Sequence, residues 1–332
     1  MLYPLHLIET YPLDTHDRSF ITQTRQTVSD IISGKDKRLL VIVGPHTIHD
    51  PKSAREYAER LIKLRDELAE RLFIIMRVYF DKPPAINGWQ GLINDPDIDE
   101  SFQFEKGLCL ARHLLLDLCK WRLPTAAQYL DLLTPQYFAD LIAWAAVGAA
   151  TVESQTHREL ASGLSCPVGF ENSTDGNVDI AIDAIVSAAH SHMFWGIDKK
   201  GRAARYQTAG NVNCHVILRG GPQMAGDAAD VAIIAEKLHK AQLTPRLMVN
   251  LNCSHSKQSV NRQGQVMAKR IVLQFKQSAH RMLGVMIDSH LVAGRQDADK
   301  LSNLTYGQSI THSCVGWLDT EHILRQLYGS LT

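Results

Sequence analysis

Histidine, cysteine and aspartate residues in separate parts of the chain could together hold a metal ion. They are His46, Cys253 or His255, Asp288 and His312. Imidazole, thiolate and carboxylate groups bind transition metals, and this donor set is compatible with zinc, iron or manganese. The alternative is that these are unrelated polar residues lining a wet opening. Sequence spacing alone leaves both interpretations open, because no compact metal motif is present.

Three cations could bind an acidic substrate. Arg77, Lys82 and Arg219 each lie at or just after the end of an apolar run. Such cations bind carboxylates or phosphates, although a structural ion pair explains any single one equally well. We predict catalytic roles for Arg77 and Lys82 together with His46 and His312. A bound metal would polarise a carbonyl or stabilise an enolate while the cations orient a small-molecule carboxylate substrate.

A repeating pattern of strands and helices must position these residues. Eight short apolar runs alternate with helix-length amphipathic segments, and this pattern is typical of parallel strands buried on both faces. The runs span 39–44, 73–78, 126–130, 144–149, 167–170, 215–219, 247–251 and 283–288. No GxGxxG follows the first run, so an α/β (β/α)8 TIM barrel is favoured over an open sheet. Catalytic residues in such barrels follow the carboxyl ends of the strands.

Two segments lie outside the barrel repeat. Residues 1–34 form an N-terminal extension, and residues 193–213 are predicted to form a β-hairpin inserted before the sixth strand. With these additions, we expect residues 1–332 to form a single domain, because 332 residues can enclose one large core.

Composition excludes several classes of function. Thirty-five basic residues balance 35 acidic ones, and no block of like charge indicates nucleic-acid binding. The six cysteines lack the density of a secreted disulfide framework, and no apolar stretch is long enough to cross a membrane. We therefore expect a cytoplasmic protein that binds neither nucleic acid nor membrane.

Several sequence blocks are specific enough to indicate a family. They are GPHTIHDP at 44–51, MRVYFDKP at 76–83, GWQGLINDP at 88–96, LDLLTPQY at 130–137, ESQTHRELASGLSCPVGF at 153–170, CHVILRGG at 214–221, and SHLVAG and YGQSIT near the end. From about residue 30 to 330 the chain resembles the class I DAHP synthases. The resemblance implies a barrel that condenses phosphoenolpyruvate with erythrose 4-phosphate at a divalent metal, in the shikimate pathway of aromatic amino acid biosynthesis. It also implies a homodimer or homotetramer.

The chain departs from the family at all four metal-ligand positions. His46 replaces the family's cysteine, Asp288 its glutamate and His312 its aspartate. Ungapped alignment places Cys253 at the histidine position, with His255 as a shifted alternative. Each replacement can still bind metal, so the resemblance implies a rebuilt site with softer, more nitrogen-rich donors.

The substrate-binding positions have also changed. Pro84 and Ala150 stand where the family has arginine, and Glu171 stands where it has lysine. These changes remove three positive charges and add one negative charge. Gln128 replaces a glutamate, and we expect both Gln128 and Glu171 to contact substrate. A pocket so depleted in positive charge binds two phosphorylated anions less readily.

Three functions are compatible with this pattern. The first is a divergent metalloenzyme acting on a carboxylate-bearing 2-oxo or enol acid in a shikimate-related or specialised pathway. The second is a genuine DAHP synthase, in which cations such as Arg202 and Arg205 of the predicted hairpin replace those lost. The third is a catalytically silent paralogue that binds or regulates a partner. The charge changes favour the first.

Overall fold

Eight parallel strands close into a barrel in the computed structural model, which describes residues 2–82, 88–220, 228–251, 279–299 and 301–331. The barrel strands are β1 (Leu39–Gly44), β2 (Leu72–Arg77), β3 (Thr125–Gln128), β4 (Trp144–Val147), β5 (Val168–Glu171), β8 (Cys214–Arg219), β9 (Leu247–Asn250) and β10 (Met282–Asp288). Around the ring their order is β1, β2, β3, β4, β5, β8, β9 and β10. The predicted (β/α)8 fold is confirmed.

Helices cover the outside of the barrel and precede its first strand. The described helices are α1 (Pro4–Thr10), α2 (Thr15–Ser33), α3 (Pro51–Glu67), α4 (Phe104–Lys120), α5 (Thr134–Phe138), α6 (Gln155–Gly163), α7 (Asp179–Ala188), α8 (Ala228–Lys240) and α9 (Trp317–Ser330). Short 3-10 helices span Ala139–Leu141, Ala279–Arg281 and Leu301–Asn303. Helix α3 shows how the sequence sets a boundary. Asp50 is the N-cap residue and accepts hydrogen bonds from the backbone N–H groups of Lys52 and Ser53. Pro51 follows it in the first turn, where the missing N–H of proline costs no helical hydrogen bond.

Two apolar clusters explain why the strand sequences are almost continuously hydrophobic. One cluster lies between the strands and the surrounding helices, and the other fills the barrel interior. Trp144 and Met286 belong to the interior cluster, together with Val28 and Ile31 of α2. The N-terminal extension therefore contributes part of α2 to the barrel core.

The predicted insertion is a two-stranded antiparallel hairpin, separate from the barrel sheet. Its strands are β6 (Met193–Ile197) and β7 (Ala203–Gln207). A second small sheet pairs β11 (Val292–Arg295) with β12 (Gln308–Ser309), just before the segment that carries His312. All eight predicted barrel strands are present, and their ends differ from the predicted ones by at most two residues. Within the described ranges, no helix is both long and apolar enough to cross a membrane.

Backbone register brings three strand ends together near the predicted metal ligands. Gly44, the last residue of β1, pairs in register with Asp288, the last residue of β10. A side chain on Gly44 would put its Cβ 2.8 Å from the backbone oxygen of Arg77 on β2. Glycine is therefore required for the close approach of these strands.

Candidate active site

A cavity of about 370 Å³ opens among the carboxyl ends of the barrel strands. Seven of the predicted site residues line it: His46, Arg77, Lys82, Gln128, Glu171, Arg219 and His312. Asp288 is fully buried beside this group. Cys253 and His255 lie outside the described residues.

Three predicted metal ligands converge at one end of the cavity. The candidate ligand atoms of His46, Asp288 and His312 all lie within 4.8 Å of one another. The two imidazole rings are stacked, with centroids 4.0 Å apart. These residues come from the ends of β1 and β10 and from the segment after β12, so the barrel fold assembles a site that is dispersed in sequence.

Hydrogen bonds orient one of the imidazoles. Nδ1 of His46 lies 2.9 Å from the hydroxyl of Thr311 and 3.1 Å from that of Thr47. Nδ1 of His312 is buried and has no hydrogen-bond partner among the described residues. A buried ring nitrogen without a hydrogen-bond partner among the described residues is compatible with a role as a metal ligand.

The surroundings keep both imidazoles neutral. Burial, followed by the positive charge of Arg77, lowers the pKa of His46 well below its ordinary value. The same two causes lower the pKa of His312 to about 4, and Lys82 and Arg219 add to the effect at both rings. A neutral imidazole has a free lone pair at pH 7 and can therefore bind a metal without first losing a proton.

The described donor set therefore fits a divalent transition metal. Two imidazoles and one carboxylate suit zinc, iron or manganese, and they leave positions for a further protein ligand and for substrate. Cys253 and His255 lie outside the described residues, so their role as the further ligand stays a prediction.

Arg77 is more fully engaged by the protein than expected for a substrate-binding cation. Its Nη1 lies 2.6 Å from Oδ1 of Asp288, and both side chains are almost completely buried. Its Nε and Nη2 donate to the backbone oxygen of His46 over 3.3 and 3.1 Å. Its guanidinium also lies 3.8 Å from the ring centroid of Tyr79. Arg77 therefore fixes the positions of two candidate metal ligands while lining the cavity.

The other two predicted cations make fewer contacts with described side chains. Lys82 and Arg219 line the cavity and are close enough to lower the pKa of both His46 and His312. No carboxylate of the described residues lies within ion-pair distance of either cation. Both can therefore bind an anionic ligand.

The cavity wall formed by β3, β4 and β5 has a different character. Oε2 of Glu171 accepts a hydrogen bond from the backbone N–H of Ala149 at 3.1 Å, and its Oε1 accepts one from Asn250 at 3.2 Å. Gln128 and Ala150 line the same wall. This part of the cavity offers neutral hydrogen-bonding groups and one carboxylate.

The polar residues of the cavity that sequence reasoning missed include Tyr79, Asp81 and Asn250. Burial, and then the charge of Asp131, raises the pKa of Asp81 to about 7. A carboxyl group with such a pKa can gain or lose a proton near neutral pH. The available signal was position, because Asp81 follows β2 and Asn250 ends β9.

Comparison with known proteins settles the family. The DAHP synthetase I family matches residues 16–325. The chain belongs to this family. It is 47% identical over 327 residues to the Phe-sensitive phospho-2-dehydro-3-deoxyheptonate aldolase of Escherichia coli K12, covering 98% of this chain and 93% of that protein. It is 45% identical to the phospho-2-dehydro-3-deoxyheptonate aldolase of Haemophilus influenzae, covering 98% and 90%.

A solved DAHP synthase structure has the same fold. The phospho-2-dehydro-3-deoxyheptonate aldolase of Francisella tularensis SCHU S4 superposes with a TM-score of 0.95 at 44% identity, covering 100% of this chain and 96% of that one. Such similarity along the whole chain supports an enzyme with transferase-type carbon-skeleton chemistry. It favours genuine DAHP synthesis over the divergent reaction that the charge changes led us to expect.

The hairpin does not supply the compensating cations suggested from sequence. Arg202 lies 2.7 Å from Asp198 within the hairpin and is largely exposed. Neither Arg202 nor Arg205 lines the described cavity. Among the described residues, the cations that line the cavity are Arg77, Lys82 and Arg219.

Proposed function

We propose that this chain is a DAHP synthase that condenses phosphoenolpyruvate with erythrose 4-phosphate at a bound divalent metal. One observation carries the proposal. In a chain that is 44–47% identical to such enzymes over almost its whole length, one cavity combines a cluster of candidate metal ligands with cations. The metal would be zinc, iron or manganese, held by His46, Asp288 and His312 with Cys253 or His255.

Different residues of the cavity would bind the substrates and position the metal ligands. Lys82 and Arg219 orient the anionic groups of the substrates, and Arg77 holds Asp288 and the backbone at His46 in place for the metal. A divalent metal held by His46, Asp288 and His312 would supply Lewis-acid chemistry for the aldehyde carbonyl. Asp81 can hold or release a proton at its carboxyl oxygen close to neutral pH.

The test is loss of phosphoenolpyruvate, followed by ultraviolet absorbance with erythrose 4-phosphate and a panel of divalent ions. Lys82→Met removes one charge-assisted contact worth about 1.5–3 kcal/mol, so we expect kcat/KM to fall by roughly 10- to 100-fold. Lys106→Met is the matched control, because Lys106 pairs with Asp97 on the surface away from the cavity. Equal activity of both variants would show that Lys82 does not bind substrate.

A second candidate is a related condensation on a different acid. Ala150 and Glu171 line the cavity, and neither offers a positive charge to a phosphate group. This feature favours a substrate other than the two phosphorylated ones. Stoichiometric metal without phosphoenolpyruvate loss would support this candidate. Loss of both metal binding and turnover would support the silent paralogue instead.

The proposal also covers the location, domain organisation, assembly and ligands of the protein. We propose one cytoplasmic domain that assembles as a homodimer or homotetramer and binds small molecules rather than nucleic acid. The five described cysteines are free, as expected for a reducing compartment. Light scattering after size-exclusion chromatography would measure the assembly, and a monomer would contradict it.

A further inference from the structure

A second cavity, of about 250 Å³, lies at the amino-terminal ends of β8 and β9. It is lined by Cys214, the first residue of β8, and by Arg246, which directly precedes β9. Arg219 and Asn250, at the other ends of these strands, line the candidate active site. Strand β8 has six residues. Its ends therefore lie about 16 Å apart, and the two cavities are separate.

The wall of this second cavity is mainly apolar. Side chains from α2, α7, β8, α8 and the loop after α8 contribute to it, including Ile32, Ile185, Ala189, Val216, Leu238 and Leu243. An apolar protein cavity of about 150 Å³ can hold a benzene molecule. A volume of about 250 Å³ therefore has room for a ring and a short chain.

Arg246 carries the only charge among the described residues that line the second cavity. Burial lowers the pKa of His215 to about 4 and raises the pKa of the Cys214 thiol, so both groups are neutral at pH 7. The guanidinium of an arginine keeps its charge at this pH. No aspartate, glutamate or lysine is among these lining residues. The wall thus combines apolar surface with a single positive charge.

The protein satisfies this half-buried guanidinium only with neutral groups. Nη1 of Arg246 donates to the backbone oxygen of Ile31 over 2.8 Å, and Nη2 donates to that of Met282 over 3.2 Å. No carboxylate of the described residues lies within ion-pair distance of Arg246. The segment 252–278, which follows β9 outside the described ranges, contains neither aspartate nor glutamate. A guanidinium has five N–H donors, and a carboxylate is the partner that binds it most strongly.

We propose that the second cavity binds a small monocarboxylic acid with an apolar body, such as an arylalkanoic acid. The carboxylate of the acid would accept hydrogen bonds from Arg246, and its body would pack against Ile185, Val216 and Leu238. A second charged group on the body is disfavoured, because the wall offers no opposite charge to pair with it. The inference does not depend on the proposed reaction, since the candidate active site lies at the other ends of the strands.

Three probes separate the contributions of charge and apolar surface: 3-phenylpropanoate, 3-phenylpropan-1-ol and acetate. The alcohol keeps the ring without the charge, and acetate keeps the charge without the ring. Isothermal titration calorimetry on the full chain measures their affinities. We expect 3-phenylpropanoate to bind about 10- to 100-fold more tightly than the alcohol, as for one charge-assisted hydrogen bond. Acetate should bind at least about 10-fold more weakly than 3-phenylpropanoate, because it buries no ring.

Variants assign the binding to this cavity. Arg246→Met should lower the affinity for 3-phenylpropanoate to about that of the alcohol. Lys82→Met is the matched control, because it removes a cation from the candidate active site and should leave this affinity unchanged. Ala189→Leu narrows the second cavity and leaves the hydrogen bonds of Arg246 intact, so it tests the site even if Arg246→Met does not fold. It should weaken binding of the acid and of the alcohol by about 10-fold or more.

Four results would overturn the proposal. The first is that 3-phenylpropanoate does not bind measurably, and the second is that it binds no more tightly than the alcohol. The third is that its affinity is unchanged in a folded Arg246→Met or Ala189→Leu variant. The fourth is that Lys82→Met abolishes binding, which would place the acid in the candidate active site.

Discussion

Replacing Asp288 by asparagine should destabilise the protein strongly, even without metal. Asp288 is fully buried, and its Oδ1 lies 2.6 Å from Nη1 of Arg77, which is also almost completely buried. Removing one partner of a buried ion pair costs about 3–5 kcal/mol, because the remaining charge stays out of water. Asparagine can still accept one hydrogen bond from Arg77. We therefore expect the free energy of unfolding to fall by about 3 kcal/mol.

Urea denaturation followed by tryptophan fluorescence, with a chelator present, measures this loss without a contribution from metal. Glu236→Gln is the control, since it removes an exposed pair with Lys240 and should leave the midpoint unchanged. The double variant Arg77→Met, Asp288→Leu should be less destabilised than Asp288→Asn, because no unpaired charge remains.

A small effect would refute this reasoning. If Asp288→Asn shifts the free energy of unfolding by less than about 1 kcal/mol, the ion pair does not hold the strand ends together. Arg77 would then be available to substrate, as the sequence first suggested.

Further predictions concern metal, pH and packing. His46→Ala and His312→Ala should each abolish stoichiometric metal binding while the far-ultraviolet circular dichroism spectrum stays unchanged; retained metal in both would contradict the ligand assignment. Burial lowers the pKa of His215 from 6.5 to about 4, so its neutral form favours the folded state. Its contribution, about 3 kcal/mol, is present above pH 6.5 and is lost as the pH falls towards 4. His215→Phe should therefore flatten the acid side of the stability profile, and an unchanged slope would contradict this. Gly107→Ala should lower stability by about 1–3 kcal/mol, because its Cβ would lie 2.2 Å from the backbone oxygen of Ile93. An unchanged unfolding midpoint would show that this contact relaxes freely.

The barrel was predictable because its strands are buried on both faces. The run 39–44, for example, is apolar throughout, and the helices between the strands have one apolar face. Strand ends were less certain, because backbone hydrogen bonding sets them and polar residues can begin or end a strand. Thr125, for example, begins β3 just before the predicted run.

The site was predictable only in outline. Placing candidates at strand ends correctly brought His46 and His312 to one cavity, because parallel strands end at one face. Pairing of side chains was not predictable. Arg77 reaches Asp288 across the end of β1, which depends on Gly44 and on barrel curvature rather than on any local sequence signal.

The charge argument from sequence remains the main challenge to the proposed reaction. It correctly placed Gln128 and Glu171 in the cavity, where Glu171 has only neutral partners among the described residues. The likeness to DAHP synthases along the whole chain points the other way. Similarity reports the fold and shared ancestry, whereas the cavity charge determines which anions bind.

The most direct measurement is phosphoenolpyruvate consumption by the purified chain with erythrose 4-phosphate and zinc, iron or manganese. The account predicts turnover that requires both substrates, stops with a chelator and returns when the ion is restored. A metal-loaded protein that consumes no phosphoenolpyruvate with any of these ions would contradict the proposed function.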